Sequence, residues 1–157
     1  MNKLSVPFVN LSNHTNTIKA ELLKAVDQVL SSGNYILGPE TLSFEKEFAH
    51  YCGTEFGVGL DNGTSALILV LRGLNLKPND EVITTSNSFL SSASSIALAG
   101  ARPVFVDIAE DLNIDVQKLE AAITPRTKVI MPVHLTGRVA RMPEILDIAK
   151  KYNLFVL

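Results

Sequence analysis

Short apolar runs alternate with amphipathic stretches from residue 56 to the end of the chain, and this alternation limits the fold more than any other feature. We predict strands at residues 56–60, 81–84, 104–106, 128–133 and 154–157. We predict helices between them at residues 64–74, 89–99, 115–123 and 143–152. Because parallel strands need crossover connections, the sequence predicts an α/β fold with a mostly parallel sheet and helices on both faces.

Two amphipathic helices are predicted ahead of this series. Apolar residues recur at helical spacing from Ile18 to Leu30, and the Ser-Ser-Gly-Asn segment at residues 31–34 ends that helix. The second helix follows the Gly-Pro pair at residues 38–39. Its apolar side carries Cys52, which we predict to be a small buried hydrophobe and not a nucleophile.

Charge and composition narrow the classes of partner. The net charge is −2 and the 14 Lys and Arg residues are dispersed, which argues against nucleic-acid binding. The most apolar stretch, residues 66–71, is shorter than a membrane-spanning helix, which needs roughly 20 residues. The N-terminus lacks the pattern of a signal peptide. We therefore predict a cytoplasmic protein that binds neither membranes nor nucleic acids.

Ligands of parallel sheets bind beyond the carboxyl ends of the strands, so the residues that follow the predicted strands are candidates for a site. One candidate is the Asn-Gly-Thr-Ser turn at residues 62–65, which leads into an apolar helix. In one interpretation Asn62 or Thr64 merely caps that helix. In the other, the free N–H groups of the helix start bind an anion such as a phosphate. The residues alone leave both interpretations open.

Three further residues fall at the same predicted edge. Phe89 either offers its ring to a flat ligand or packs in the core. His134 either hydrogen-bonds a ligand or has a structural role, and Asp107 is predicted to cap its loop and not to act as a catalytic acid. The spacing of His, Cys and acidic residues gives little support for a metal site, so we predict none.

Several motifs carry a family resemblance through their order and spacing. They are Tyr-Ile-Leu-Gly-Pro-Glu at residues 35–40, Asn-Gly-Thr-Ser-Ala-Leu at 62–67, Gly-Ala-Arg-Pro-Val-Phe-Val-Asp at 100–107 and Pro-Val-His-Leu-Thr-Gly-Arg at 132–138. With them, the chain resembles the DegT/DnrJ/StrS aminotransferases along almost its whole length. The resemblance implies the type I fold of pyridoxal-phosphate (PLP)-dependent transferases, here the N-terminal portion of the aspartate-aminotransferase-like large domain. We accordingly predict an N-terminal helical segment at residues 1–55 and the front of the large domain at residues 56–157.

The resemblance also implies a function and a set of site residues. Relatives are PLP enzymes, usually homodimers, that transfer an amino group from an amino acid such as glutamate to a nucleotide-linked keto-sugar in nucleotide-sugar and polysaccharide biosynthesis. The residues that match the binding site of the cofactor phosphate are Gly63, Thr64 and Ser65, and Phe89 matches the aromatic that stacks on the pyridine ring. The segment that begins at Tyr35 matches the part that approaches the sugar substrate, and His134 is a second candidate for a substrate contact.

Some features depart from the family pattern. Ser94 stands where relatives often have Asn, and Arg141 stands where they typically have Asp. The resemblance places the lysine that binds the cofactor covalently, and the aspartate that pairs with the pyridinium nitrogen, beyond Leu157. None of the lysines present, from Lys3 to Lys151, is predicted to be placed for that bond. We therefore expect this chain to be the front part of a longer protein and to be inactive by itself.

Two other functions stay open. Some relatives replace the lysine and dehydrate sugars on the same scaffold, and the deciding residue is expected beyond Leu157. The remaining alternative is a non-catalytic remnant or interaction module that keeps the phosphate turn.

Overall fold

The computed structural model describes residues 6–157, in which two helices precede a series of alternating strands and helices. The helices are α1 (Leu11–Ser32), α2 (Pro39–Cys52), α3 (Gly63–Gly73), α4 (Leu90–Leu98), α5 (Val116–Leu119) and α6 (Met142–Tyr152), with a 3-10 turn at Glu120–Ala122. The strands are β1 (Glu81–Thr85), β2 (Arg102–Val106), β3 (Thr127–Met131) and β4 (Phe155–Val156). The chain divides into two compact units, one that ends at Gly59 and one that spans Leu60–Leu157. The roles assigned above to residues 1–55 and 56–157 stay predictions.

The strands of the second unit lie parallel in one sheet with the order β2-β1-β3-β4. β1 is an inner strand, in which Ile83 pairs with Val104 on one side and with Ile130 on the other. Every residue of β1 is buried, as expected for a parallel strand that is covered on both faces. The α/β fold with a parallel sheet is therefore confirmed.

Helices cover both faces of this sheet. Successive side chains of a strand point to opposite faces, so Val82 and Ile83 of β1 enter different cores. The core on the side of α5 and α6 contains Ile83, Val106, Leu119, Ile130 and Ile145. The core on the side of α3 and α4 contains Leu71, Val82, Ile96, Val129 and Met131. The two cores hold the carboxyl ends of β1, β2 and β3 at one edge of the sheet.

The first unit contains the two helices predicted ahead of the sheet. α1 ends at Ser32, and Gly33 has a φ of 70°, the left-handed conformation that commonly ends a helix. Pro39 begins α2, where its missing N–H costs no helical hydrogen bond. Both helices are confirmed.

Cys52 is exposed, so the prediction that it is a buried hydrophobe is wrong. The buried residue of α2 is Ala49, one turn earlier. Cys52 is the last residue of the helix, and the chain turns away at Gly53, which has a φ of 68°. Helical periodicity identifies a face, but it does not bury a residue at the end of that face.

Residues 56–60 form no strand, which contradicts the sequence prediction. Gly57 and Gly59 interrupt the run, and the apolar side chains beside them are exposed. The Gly59 N–H donates to Glu45 Oε1 at 2.7 Å and not to a neighbouring strand. An apolar run becomes a strand only where another strand pairs with it, and glycine weakens such pairing.

A buried carboxylate joins the amino ends of β1 and β3. Glu81 is 2% exposed, and its carboxylate accepts the Thr124 hydroxyl at 2.6 Å and the Nε and Nη2 groups of Arg126 at 3.0 and 2.8 Å. The hydrogen bonds from Thr124 and Arg126 outweigh burial and hold the pKa of the Glu81 carboxyl below its ordinary value of 4.5. This cluster lies at the edge of the sheet opposite the strand carboxyl ends.

We predict that Glu81→Gln lowers the free energy of unfolding by about 2 kcal/mol at neutral pH, because it removes the charge from a buried hydrogen-bonded group. Because folding lowers the pKa of Glu81, its contribution is complete above pH 4.5 and is lost as the pH falls through the lower pKa of the folded state. Urea denaturation at neutral pH and in acid measures both effects. The exposed Glu110 provides a control, Glu110→Gln. Equal unfolding midpoints for Glu81→Gln and the unsubstituted chain at neutral pH would contradict the prediction.

Candidate functional site

The turn at residues 62–65 caps α3 and also leaves donors free. The Asn62 side chain accepts the Ser65 N–H at 2.9 Å, and the Asn62 carbonyl accepts the Ala66 N–H at 3.2 Å. The N–H groups of Gly63 and Thr64 have no acceptor among the residues that the structure describes. The helix cap therefore exists. It uses the N–H group of Ser65, one of the three residues matched to the phosphate site, and leaves those of Gly63 and Thr64 available.

The start of α3 meets the start of α4. The Thr64 Oγ1 lies 2.6 Å from the Ser91 Oγ, and each residue is the second of its helix. Phe89 is the N-cap residue of α4, and its side chain is 70% exposed. Phe89 is therefore not a core aromatic, and its contact with a ligand stays a prediction.

Two cavities lie beside the start of α4, at the carboxyl edge of the sheet. One, of about 180 Å³, is lined by residues that include Thr85, Ser88, Phe89, Ser92 and Phe105. The other, of about 400 Å³, is lined by residues that include Leu67, Ser92, Met131, His134, Met142 and Leu157. Ser92 lines both cavities, so they adjoin at the first turn of α4.

A buried hydroxyl at this edge has no partner. Thr85, the last residue of β1, is 1% exposed, and its Oγ1 makes no hydrogen bond within the described part of the chain. Such a group costs about 1–3 kcal/mol unless a ligand or water completes it, so native proteins keep few of them. Thr85 lines the smaller cavity beside Phe89.

These features fit a cofactor that carries a phosphate. The free N–H groups of Gly63 and Thr64 lie at the positive end of the α3 dipole, where anions bind. The space around Gly63 is open, since a Cβ added there would meet no atom within 4 Å. The exposed Phe89 ring and the Thr85 hydroxyl line one cavity, where they are available to the rest of such a molecule.

His134 has the structural role that the sequence left as an alternative. Its Nδ1 accepts the N–H of the buried Ala140 at 3.1 Å, which closes the loop after β3. The neutral ring therefore carries its proton on Nε2, and that nitrogen has no partner among the described residues. His134 also lines the larger cavity, so a ligand contact through Nε2 is compatible with the structural one.

Asp107 caps its loop, as predicted. The hydrogen bond from the Ile108 N–H and then the one from Lys118 hold the pKa of the Asp107 carboxyl below its ordinary range. The Asp107 carbonyl accepts the Asp115 N–H at 2.9 Å. A carboxylate that stays ionised and serves its own loop is poorly suited to donate a proton in catalysis.

One lysine lies at this edge. The Lys118 Nζ is 3.1 Å from Asp107 Oδ2 and 3.5 Å from Asp115 Oδ2, and these carboxylates raise the pKa of Lys118. The pairing favours the ammonium form, which cannot attack a carbonyl. Lys3, the first lysine of the chain, lies outside the described residues.

Tyr35 belongs to the first unit, in the turn between α1 and α2. Its ring is 65% exposed, and its hydroxyl donates to the Leu30 carbonyl at 3.4 Å. Leu37 has a φ of 50°, and a Cβ on Gly38 would lie 2.7 Å from the Asn34 carbonyl oxygen. The turn is therefore tightly folded and presents Tyr35 at the surface.

Arg141 and Ser94, the two departures from the family pattern, lie on different helices. Arg141 is the N-cap residue of α6 and makes no capping hydrogen bond. It lines a cavity of about 650 Å³ with Asp111 and Arg138. The hydrogen bond from the Asn113 N–H has the largest effect in lowering the pKa of Asp111, and the charges of Arg141 and Arg138 add to it. Ser94 is half-buried within α4.

Sequence reasoning missed two residues of this region. One is Ser91, in the first turn of the helix that follows Phe89. Its partner Thr64 is 27 positions away, and no sequence signal joins the two residues. The other is Thr85, because nothing in the sequence indicates that its hydroxyl lacks a partner.

Between residues 6 and 157, no group of three or more His, Cys, Asp or Glu side chains is arranged to hold a metal ion. No helix in the same range has both the length and the apolar character that crossing a membrane requires.

Known proteins resemble this chain in sequence and in structure. The model of the DegT/DnrJ/EryC1/StrS aminotransferase family matches residues 16–157. The chain is 42% identical to a pleiotropic regulatory protein of Geobacillus stearothermophilus, over 98% of this chain and 42% of the relative. It is also 42% identical to the dTDP-3-amino-3,4,6-trideoxy-alpha-D-glucose transaminase of Streptomyces venezuelae, over 97% of this chain and 40% of that enzyme.

A solved structure extends the comparison to the fold. The crystal structure of ntda from Bacillus subtilis with bound cofactor PMP superimposes with a TM-score of 0.92 at 36% sequence identity. The superposition covers 99% of this chain and 37% of that protein. The chain thus spans about 40% of the length of the relatives that it matches.

The structural neighbours are PLP-dependent aminotransferases, and this chain shares with them part of an α/β fold with a parallel sheet between helices. The chain belongs to the DegT/DnrJ/EryC1/StrS aminotransferase family, a PLP-dependent family whose named members include nucleotide-sugar transaminases. The family resemblance and the predicted fold are therefore confirmed.

We predict that Asn62→Ala lowers the free energy of unfolding by about 1 kcal/mol, because the Ser65 N–H loses its acceptor. Asn62→Ser keeps a side-chain acceptor for the cap without adding a charge beside Asp61, so it should retain most of the stability. Thermal denaturation of the purified chain compares the two variants. Identical melting midpoints for Asn62→Ala and the unsubstituted chain would show that Asn62 contributes no cap.

Proposed function

We propose that this chain forms the phosphate-binding part of a PLP-dependent aminotransferase that moves an amino group from an amino acid such as glutamate to a nucleotide-linked keto-sugar. The observation that carries the proposal is the pair of N–H groups at Gly63 and Thr64, which have no acceptor among the described residues. The Thr64 hydroxyl contacts Ser91 in the first turn of α4, and Phe89 is the N-cap residue of that helix. The family match and the transaminases among the relatives support the reaction and the substrate class. When bound, PLP supplies the electron-withdrawing ring that transamination needs.

In this proposal Gly63, Thr64 and Ser65 bind the cofactor phosphate. The N–H groups of Gly63 and Thr64 donate to phosphate oxygens, with the positive end of the helix dipole behind them. Ser65 contributes its hydroxyl, because Asn62 already accepts its N–H. The missing Cβ of Gly63 lets an oxygen approach the backbone closely.

Phe89 covers one face of the pyridine ring in this proposal. Its exposed ring at the start of α4 has the freedom that a stacking partner needs, since no core packing holds it. An aromatic side chain stacked on a flat heterocycle orients it and shields one of its faces from water.

Tyr35 and His134 are proposed substrate contacts. His134 offers Nε2–H because its Nδ1 is held by the Ala140 N–H. Tyr35 offers an exposed ring on a tight turn. A homodimer and a cytoplasmic location are proposed on the family resemblance alone.

Titration of the purified chain with pyridoxamine phosphate tests the proposed cofactor site. The amine form of the cofactor is the probe because, unlike the aldehyde, it does not react with lysine side chains. We expect saturable binding at one site per chain that inorganic phosphate displaces. Absence of binding that phosphate displaces would contradict the proposal.

We predict that Phe89→Ala weakens pyridoxamine-phosphate binding about fivefold, because the variant loses a ring stack worth about 1 kcal/mol. Phe155→Ala is the matched control, since Phe155 is 60% exposed and lies on β4. Isothermal titration calorimetry gives both dissociation constants. If the two variants bind with the same affinity as the unsubstituted chain, Phe89 does not belong to the site.

A further inference from the structure

The hydroxyls of Thr64 and Ser91 form a contact that joins the starts of two helices. Their oxygens are 2.6 Å apart and partly buried, although the residues are 27 positions apart in the sequence. At the other ends of the same helices, the Arg72 Nη2 donates to the Leu98 carbonyl at 3.3 Å. α3 and α4 therefore run side by side in the same direction, with their starts together.

The two hydroxyls share a single hydrogen bond but have two protons. Either oxygen can be the donor, so one O–H points at the other oxygen and the second O–H points elsewhere. Neither hydroxyl makes another hydrogen bond within the described residues. One donor is thus left over beside the free N–H groups of Gly63 and Thr64, where an anion would accept it.

The ring end of the site is held to α4 by a second, separate contact. Ser91 lies two residues after Phe89, in the first turn of α4. Ser88 Oγ and Ser92 Oγ, 2.6 Å apart, bind the loop that carries Phe89 to the same turn. This contact does not involve Ser91, so it remains when the Ser91 hydroxyl is removed.

We propose that Ser91 is a positioning residue for the cofactor phosphate: its hydroxyl orients the Thr64 hydroxyl so that the pair presents one O–H to a phosphate oxygen. The inference rests on the proposed function of the turn as the phosphate site. Ser91 belongs to α4 and acts through Thr64, so the phosphate end of the site depends on α4 as well as on α3.

A purely structural role for Ser91 has a different signature. If Ser91 only held α4 in place, its loss would move Phe89 and weaken the binding of every ligand that carries the pyridine ring. If Ser91 orients a phosphate donor, its loss weakens only ligands with a phosphate. Pyridoxamine phosphate and pyridoxamine differ in that group alone, so the ratio of their affinities separates the two roles.

We predict that Ser91→Ala weakens pyridoxamine-phosphate binding about tenfold, the effect of one hydrogen bond to a charged group, and changes pyridoxamine binding less than about twofold. Ligand-observed NMR on the full chain measures both constants, including the weak binding of pyridoxamine. Ser91→Thr keeps the hydroxyl and should retain the affinity. Ser94→Ala, a half-buried serine of the same helix, is the control and should behave like the unsubstituted chain.

Thr64→Val tests whether Ser91 acts through Thr64. In that background, Ser91→Ala should change pyridoxamine-phosphate affinity less than about twofold, because no hydroxyl is left to orient. An equal loss for both ligands in Ser91→Ala, or unchanged pyridoxamine-phosphate affinity, would overturn the role of Ser91 and leave the cofactor site intact. Failure of the unsubstituted chain to bind pyridoxamine phosphate would overturn the role of Ser91 and the proposed function together.

Discussion

The parallel pairing of β1 with β2 and β3 is the constraint on which the rest of the second unit depends. Parallel strands leave both faces of the sheet apolar, and each connection between them must cross over one of these faces. β1 is buried along its whole length, so helices on one side alone would leave half of its side chains in water. The two cores, one under α3 and α4 and one under α5 and α6, follow from that requirement.

The two edges of the sheet differ in how many of their polar groups have hydrogen-bond partners. At the amino edge, Glu81 has a full set of partners in Thr124 and Arg126. At the carboxyl edge, the buried Thr85 hydroxyl and the N–H groups of Gly63 and Thr64 have no partner among residues 6–157. Satisfied polar groups stabilise a fold, and unsatisfied ones that adjoin cavities favour a ligand. The two ends of one strand, five residues long, thus serve different purposes.

The parts that sequence reasoning predicted are those that local periodicity determines. The alternation of helices and strands, the end of α1 at Ser32 and the cap at Asn62 all follow from patterns within a few residues. Residues 56–60 have a strand-like composition but no pairing strand, because pairing is a non-local property that composition does not contain. The contact of Thr64 with Ser91 could not be predicted for the same reason, since it depends on how α3 packs against α4. Exposure of Cys52 depends on where the chain turns after α2.

In the proposed function, the start of α3 binds the cofactor phosphate through backbone N–H groups. Amide chemical shifts in a ¹H–¹⁵N spectrum, recorded while pyridoxamine phosphate is added to the chain, test it most directly. We predict that the amides of Gly63 and Thr64 shift most and that those of Glu81 and Arg126, at the opposite edge of the sheet, do not move. Unchanged Gly63 and Thr64 amides at a saturating ligand concentration, or shifts concentrated at the opposite edge, would contradict the claim.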